Sequence, residues 1–432
     1  MASEFERNLE KYADVVVRVG LNLQPGQQLL IGSPRLDALT PLEAAPLVRL
    51  IATKAYQLGA RLVDVLWGDD QLRRIRLQHA PTDSLHEFPM WQVTAVTDAI
   101  KRGDALLVIY AHNPDLLNDV DFELLGIVEQ TRAKNTSPIF GLLTRNVTNW
   151  SLISVPVSGW SAKVFPDVAP EAQDARLWDA IFEICRVKQA DPIAAWRSHV
   201  GQLVNRSDYL NAKQYAALRF TGPGTDLTVG LPSRHVWRGG HRTSEAGISF
   251  TANIPTEEVF TMPHRDETEG VVTATKPLSF GGGLVENFSL TFAGGRVVKA
   301  TAERGAENLR KVLETDEGGS HLGEVALVPH SSPISRSGRV FYNTLIDENA
   351  ASHIALGNAH RPTLEAGESM SDEEFVAAGG NLSAIHLDFM IGSDEVDVDG
   401  VRTDGAAEPI MRKGEWGFSY NSSFQAIRLG PA

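Results

Sequence analysis

The sequence predicts an α/β amino-terminal domain with a parallel, Rossmann-like sheet, followed by a mainly antiparallel α+β domain. Three observations predict this. The chain has 432 residues, too many for one ordinary core. Its first half alternates helical apolar spacing with short apolar runs, the rhythm of strands joined by helical crossovers. Its second half is rich in glycine, threonine and valine, with turn residues every 8 to 12 positions. The boundary is placed in the stretch Asn205 to Ala212, giving domains 1–205 and 206–432.

The elements follow in order. Phe5, Leu9, Tyr12, Val15, Val16 and Val19 recur at helical spacing. Pro25-Gly26 is a turn, and Gln28 to Ile31 a short buried strand. Leu42 to Leu58 is helical and stops at Gly59. Arg61 to Trp67 is a strand, then Asp70 to His79 and Thr94 to Lys101 are helices. Ala105 to Tyr110 is a second buried strand, and Asp121 to Lys134 a helix. Asn149 to Pro166 reads as loop, with Trp150 and Trp160 packed at a domain border. Leu177 to Trp196 is helical and continues towards Leu203. Past Ala216, Phe220 to Leu227 reads as a hairpin between two short strands. Val285 to Phe292 and Val297 to Ala302 pair around Gly294-Gly295. Gly281-Gly282-Gly283 and Gly379-Gly380 mark further turns. Helices are predicted at Glu303 to Glu314, Asp347 to Ala359 and Asp372 to Ala378.

Composition excludes several functions. The net charge is −14 without a long basic run, which argues against nucleic acid or an anionic membrane as partner. No run of about 18 apolar residues exists to cross a bilayer. The N-terminus is charged and lacks the apolar core of a signal peptide, so the cytosol is the expected compartment. Cys185 is the one cysteine, so neither an intrachain disulfide nor a cysteine zinc site is available. No Gly-x-Gly-x-x-Gly or Walker pattern follows a strand, so no nucleotide is assigned.

The chemistry gathers in the second half. Ile385 to Gly392 reads as a strand, and His386 and Asp388 stand two residues apart, on one face. Imidazole and carboxylate are what a hydrolytic divalent metal prefers. Upstream lie Glu257 and Glu258 near a strand, Glu324 before an apolar run, and Glu348 and His353 on the predicted helix capped by Asp347. Five residues separate those two, about 140° around a helix, so they share a site only at its first turn. With one of the Glu257–Glu258 pair, this set has four carboxylates and two imidazoles, about right for two metals sharing a bridging carboxylate. An arginine compensating His386 and Asp388 is an equally open reading.

At these residues the chain resembles the thermophilic metalloaminopeptidases of the aminopeptidase T, aminopeptidase S and PepS type. The likeness runs through Asn253-Ile254-Pro255-Thr256-Glu257-Glu258, Leu322-Gly323-Glu324, Phe341 to Ala350, His353 to Gly357, and His386 to Gly392. It extends to Gln24-Pro25-Gly26-Gln27 and to Trp150 through Pro166. The resemblance implies a cytosolic homodimer with a C-terminal catalytic domain carrying two divalent metals (zinc, cobalt or manganese). It implies Glu258, Glu324, Glu348, His353, His386 and Asp388 as ligands, with Glu258 preferred to Glu257 for its spacing to Glu324. It implies removal of N-terminal residues from peptides with a free N-terminus by a metal-activated water. One departure stands out: where the family places tyrosine in an Ala-Tyr-Pro stretch, this chain reads Ala359-His360-Arg361-Pro362. His360 is therefore the catalytic candidate for holding the tetrahedral intermediate. Two rivals remain: a non-haem Fe(II) ring-cleaving dioxygenase using His353, His386 and Asp388, and a catalytically impaired peptide-binding relative.

Overall fold

The computed structural model describes residues 3–34, 39–280 and 283–417. It is a mixed α/β fold of two compact units. The first comprises the described residues up to Arg197, with His241–Thr256 and Ser337–Asp347. The second comprises Ser198–Gly240, Glu257–Arg336 and the described residues from Glu348 on. The sequence-based boundary at 205/206 falls inside the helix Pro192–Lys213.

The first unit holds a four-stranded parallel sheet in the order Val63–Val65, Leu29–Ile31, Ala105–Ile109, Trp150–Ile153. Ala105–Ile109 is buried at every position, as a strand covered on both faces must be. The stretch read as loop from Asn149 to Pro166 is instead ordered structure. Trp150–Ile153 is the fourth strand, and Ser158–Val164 is a helix that buries Trp160. Four-residue strands are too short for periodicity to reveal. The first helix, Glu4–Val15, opens with a Ser3–Glu6 capping box and passes into a π-turn over Val16–Gly20. The helix expected from Leu177 to Trp196 is two: Pro170–Ile184 ends beside buried Cys185, and Pro192–Lys213 begins after a break. Pro192 supplies that second start, since proline fits a helix's first turn.

The second unit is mainly antiparallel. The Phe220–Leu227 hairpin forms as Ala217–Gly222 paired with Thr225–Gly230, and Gly283–Ala293 pairs with Arg296–Arg304. The expected turn at Gly281-Gly282 lies outside the described residues. A nine-stranded sheet and a five-stranded sheet share one core, where Phe288 and Phe389 meet at a ring distance of 5.3 Å. The predicted helix from Asp347 to Ala359 is overturned. A helical turn Thr344–Asp347 and a 3-10 turn Glu348–Ala350 lead into the strand His353–Gly357. The Asp347 carboxylate accepts from the backbone N–H of Phe341 and Asn343, earlier in the chain. Strand pairing on both sides of His353–Gly357 outweighs the local helical signal. Among the described residues, no helix is long and apolar enough to cross a membrane.

Buried His235 in this unit gives a pH prediction. Its Nδ1 faces the Pro232 carbonyl at 2.9 Å, and its Nε2 has no partner. Burial lowers its pKa, outweighing that carbonyl. The folded protein thus resists protonating it, while the unfolded chain does so below about pH 6.5. His235's contribution is full above that pH and is lost as pH falls. Urea unfolding from pH 7.5 to 5 should therefore show a shallower decline in His235→Leu than in the parent.

Candidate metal centre

The five-stranded sheet builds the site. Its order is His386–Met390, His353–Gly357, Leu322–Leu327, Val259–Thr261, Arg238–Gly239, all antiparallel. Register sets the faces: Ala355 lies across from both Glu324 and Asp388, His353 from Ala326 and Met390, and Gly357 from His386. Residues paired across strands share a face. One face therefore carries Glu324, His353, His386 and Asp388, and the other sends Val325, Ile354, Leu356 and Phe389 into the core. A bulge between Leu322 and Glu324 sets this register. Ala326, Ala355 and Gly357 stand between the polar side chains and leave space above the sheet.

Two triads result. His353 Nε2 lies 3.3 Å from Glu258 Oε2 and 3.4 Å from Glu324 Oε1. On the other side of Glu324, its Oε2 lies 3.5 Å from His360 Nε2 and 3.7 Å from His386 Nε2. His386 Nε2 is 3.4 Å from Asp388 Oδ1. Glu258, Glu324 and His353 thus form one group of converging donors, and Glu324, His360 and His386 another, with Glu324 common to both. The imidazoles are oriented from behind. His353 Nδ1 faces the Ala351 carbonyl at 3.1 Å, and His386 Nδ1 faces the Asn358 carbonyl at 2.7 Å. A proton on each Nδ1 leaves the Nε2 lone pair aimed at the cluster.

The donor set fits divalent cations. Buried Glu258 Oε2 and Asp388 Oδ1 accept no well-formed hydrogen bond and have only an imidazole edge at 3.3 and 3.4 Å, and a poorly satisfied buried carboxylate oxygen is costly. The electrostatics agree. Burial, then the neighbouring charges of Glu258 and Asp388, push Glu348 well above the usual carboxylate range. Burial also raises Glu324. Burial opposes protonation of His353, but the carboxylates of Glu258 and Glu324 outweigh it and hold its pKa well up. For His386, Asp388 and Glu324 overcome burial and push it up to about 10. Burial would raise Asp388, but His386 beside it brings it down to about 2. The cluster demands positive charge, which protons or metal ions can supply.

The structure brings together Glu258, Glu324, His353, His360, His386 and Asp388. Glu348 belongs to neither triad, though it feels the charges of Glu258, Asp388, His353 and Glu324. Glu257 points elsewhere, 3.6 Å from buried His199. Period two along the chain separates it from Glu258. The arginine alternative for His386 and Asp388 finds no support among the described residues, where every ion pair at this cluster has a histidine as its cation. Sequence reasoning missed His360 as a member of the second triad and missed the supporting carbonyls. It also missed Asn381, whose side chain donates to the Gly357 and Gly318 carbonyls at 2.7 and 2.9 Å. Backbone acceptors leave no trace in side-chain identity, so only a fold reveals them.

Comparison with known proteins places the chain in a family. The family model described as thermophilic metalloprotease (M29) matches residues 5–416. Aminopeptidase 2 of Geobacillus stearothermophilus is 48% identical, over 96% of this chain and 99% of its own. Aminopeptidase T of Thermus thermophilus is 46% identical, over 95% and 99%. The solved structure of wild-type AmpT from Thermus thermophilus superposes with a TM-score of 0.89 at 45% identity, covering 96% of this chain and all of that one. The chain belongs to the thermophilic metalloprotease (M29) family.

Proposed function

We propose that the carboxylates and imidazoles gathered around Glu324 hold a pair of divalent ions, zinc, cobalt or manganese. The chain, a metal-dependent aminopeptidase, uses them to release the first residue of peptides with a free N-terminus. The observation that carries the two-ion reading is the position of Glu324, whose two oxygens face different imidazoles. Glu258, Glu324 and His353 would hold one ion, and Glu324, His386 and Asp388 the other. When bound, such ions polarise the scissile carbonyl and lower the pKa of a water towards neutrality.

The chain's own residues do the rest. The carbonyls of Ala351 and Asn358 keep both imidazoles pointed. Resemblance assigns Glu348 to the metals, less directly than the others. Its place beside the cluster and outside both triads leaves it as the carboxylate to take the proton of the attacking water. His360, 46% exposed, stands on the solvent side and donates from Nε2 to the tetrahedral intermediate. A ring-cleaving dioxygenase needs one ion on His353, His386 and Asp388; Glu258 and Glu324 in the same cluster favour the peptidase. The parallel sheet and its crossover helices support a Rossmann-like description of the first unit. A cytosolic homodimer completes the proposal on the family resemblance.

Chelation followed by metal add-back, assayed on aminoacyl-nitroanilides, tests this. Loss and recovery of activity with two ions per chain is the expected result. Activity that survives complete metal removal sinks it. Full occupancy without turnover of any peptide marks a catalytically impaired relative.

A further inference from the structure

We propose that the outer edge of the strand His386–Met390 receives the substrate's main chain as an added antiparallel strand. This rests on the aminopeptidase reading. The strand is the edge of the five-stranded sheet and pairs with His353–Gly357. Asn358 N–H donates to the Ile385 carbonyl, and Ile391 N–H to the Ser352 carbonyl. Antiparallel ladders alternate, so Leu387 and Phe389 bond inward, and His386, Asp388 and Met390 turn their backbone groups outward. The Met390 carbonyl is taken by Thr275 N–H at 2.8 Å. Among the described residues, nothing pairs with the outward N–H and C=O of His386 and Asp388.

An unpaired edge is a template for another extended chain, and proteins normally blunt it. Here Thr275 closes one end and leaves two residues open. Those two also send candidate ligands into the cluster. The same residues therefore offer side chains to the reacting centre and backbone to whatever lies beside it.

Exposure sets the direction. His360 is 46% and His386 25% exposed, against 1% for His353, 7% for Glu324, 10% for Asp388 and 11% for Glu258. The cluster opens at the His360 and His386 end. Register places His353 level with Met390, then Asp388, then His386. A peptide with its amine near His353 runs outward past Asp388 and then His386, antiparallel to the strand. Strands lie about 4.8 Å apart, so a strand added beyond this edge runs roughly 14 Å from the strand of Glu324, about four residues of extended chain. Recognition is of main chain, independent of sequence, beginning near the fourth residue. Alternate substrate residues bond to Asp388 and His386, and the residue between them faces away.

A hexapeptide series with one N-methyl group at each amide beyond the scissile bond tests this with the holoenzyme. Alternating loss is expected. KM rises about tenfold where a bonded N–H is removed and stays within about twofold at the intervening positions. A flat profile, or equal loss at every position, overturns the proposal. Amide exchange gives a readout independent of turnover. With a hexapeptide whose scissile carbonyl is reduced to methylene, the His386 and Asp388 amides should exchange at least tenfold slower. A similarly reduced dipeptide should leave them unchanged. Unaltered exchange with the saturating hexapeptide also overturns the proposal. Parent-peptide turnover that resists chelation would instead count against the metal reading and leave the exchange result standing.

Discussion

Glu324→Ala should abolish aminopeptidase activity and weaken the binding of both ions. Glu324 is the one side chain common to the two triads. Its Oε1 faces His353, and its Oε2 faces His360 and His386. Removal of any other donor spares one triad; removal of this one breaks both. Residues acting as a unit fail together, so kcat/KM should drop on the order of 10³-fold or more. Metal content after dialysis should fall below one ion per chain. Fold loss is a separate question, because the other face of this strand packs Val325 and Leu327 into the core. Far-ultraviolet circular dichroism should therefore match the parent. Two retained ions with near-parent kcat/KM would remove the bridging role.

Gly357→Ala should damage stability and activity at once. Gly357 sits across from His386 with φ +102°, a region L side chains rarely adopt. A Cβ there would meet the Ile385 carbonyl oxygen at 2.2 Å. Backbone strain and overpacking together should cost about 2–5 kcal/mol, read from urea unfolding. The nearest relief is a shift of the edge strand that carries His386 and Asp388. A displacement near 1 Å at a reacting group costs about a hundredfold in rate. Gly26 is the control: it also has positive φ, but nothing lies within 4 Å of its Cβ position. Gly26→Ala should lose some stability and no activity. Equal activity losses in the two variants would mean that position 357 has no special link to the site.

The sequence exposes the site unevenly. His386 and Asp388 are legible because period two places them on one face whatever their neighbours do. His353 is not. Asp347-Glu348-Asn349-Ala350-Ala351 has a helix start's composition, yet it gives only a turn before the strand. What decides it is pairing with Leu322–Leu327 and His386–Met390, both more than 25 residues away along the chain. The Glu257 and Glu258 ambiguity has the same origin. Only the strand beginning at Val259 tells which of two adjacent acids faces the cluster. The parallel strands Leu29–Ile31 and Ala105–Ile109 are readable as apolar runs, whereas Trp150–Ile153 alternates too briefly.

The chain passes between its two units five times, at 197/198, 240/241, 256/257, 336/337 and 347/348. Two of these passages come within two residues of the acids Glu258 and Glu348. A gene cut once near the middle would give fragments that each lack pieces of their own unit. Single-point truncation should therefore yield insoluble halves rather than a working catalytic fragment, and co-expressed halves should recover function only by reassociating. Swapping the catalytic unit between relatives calls for exchanging three segments together.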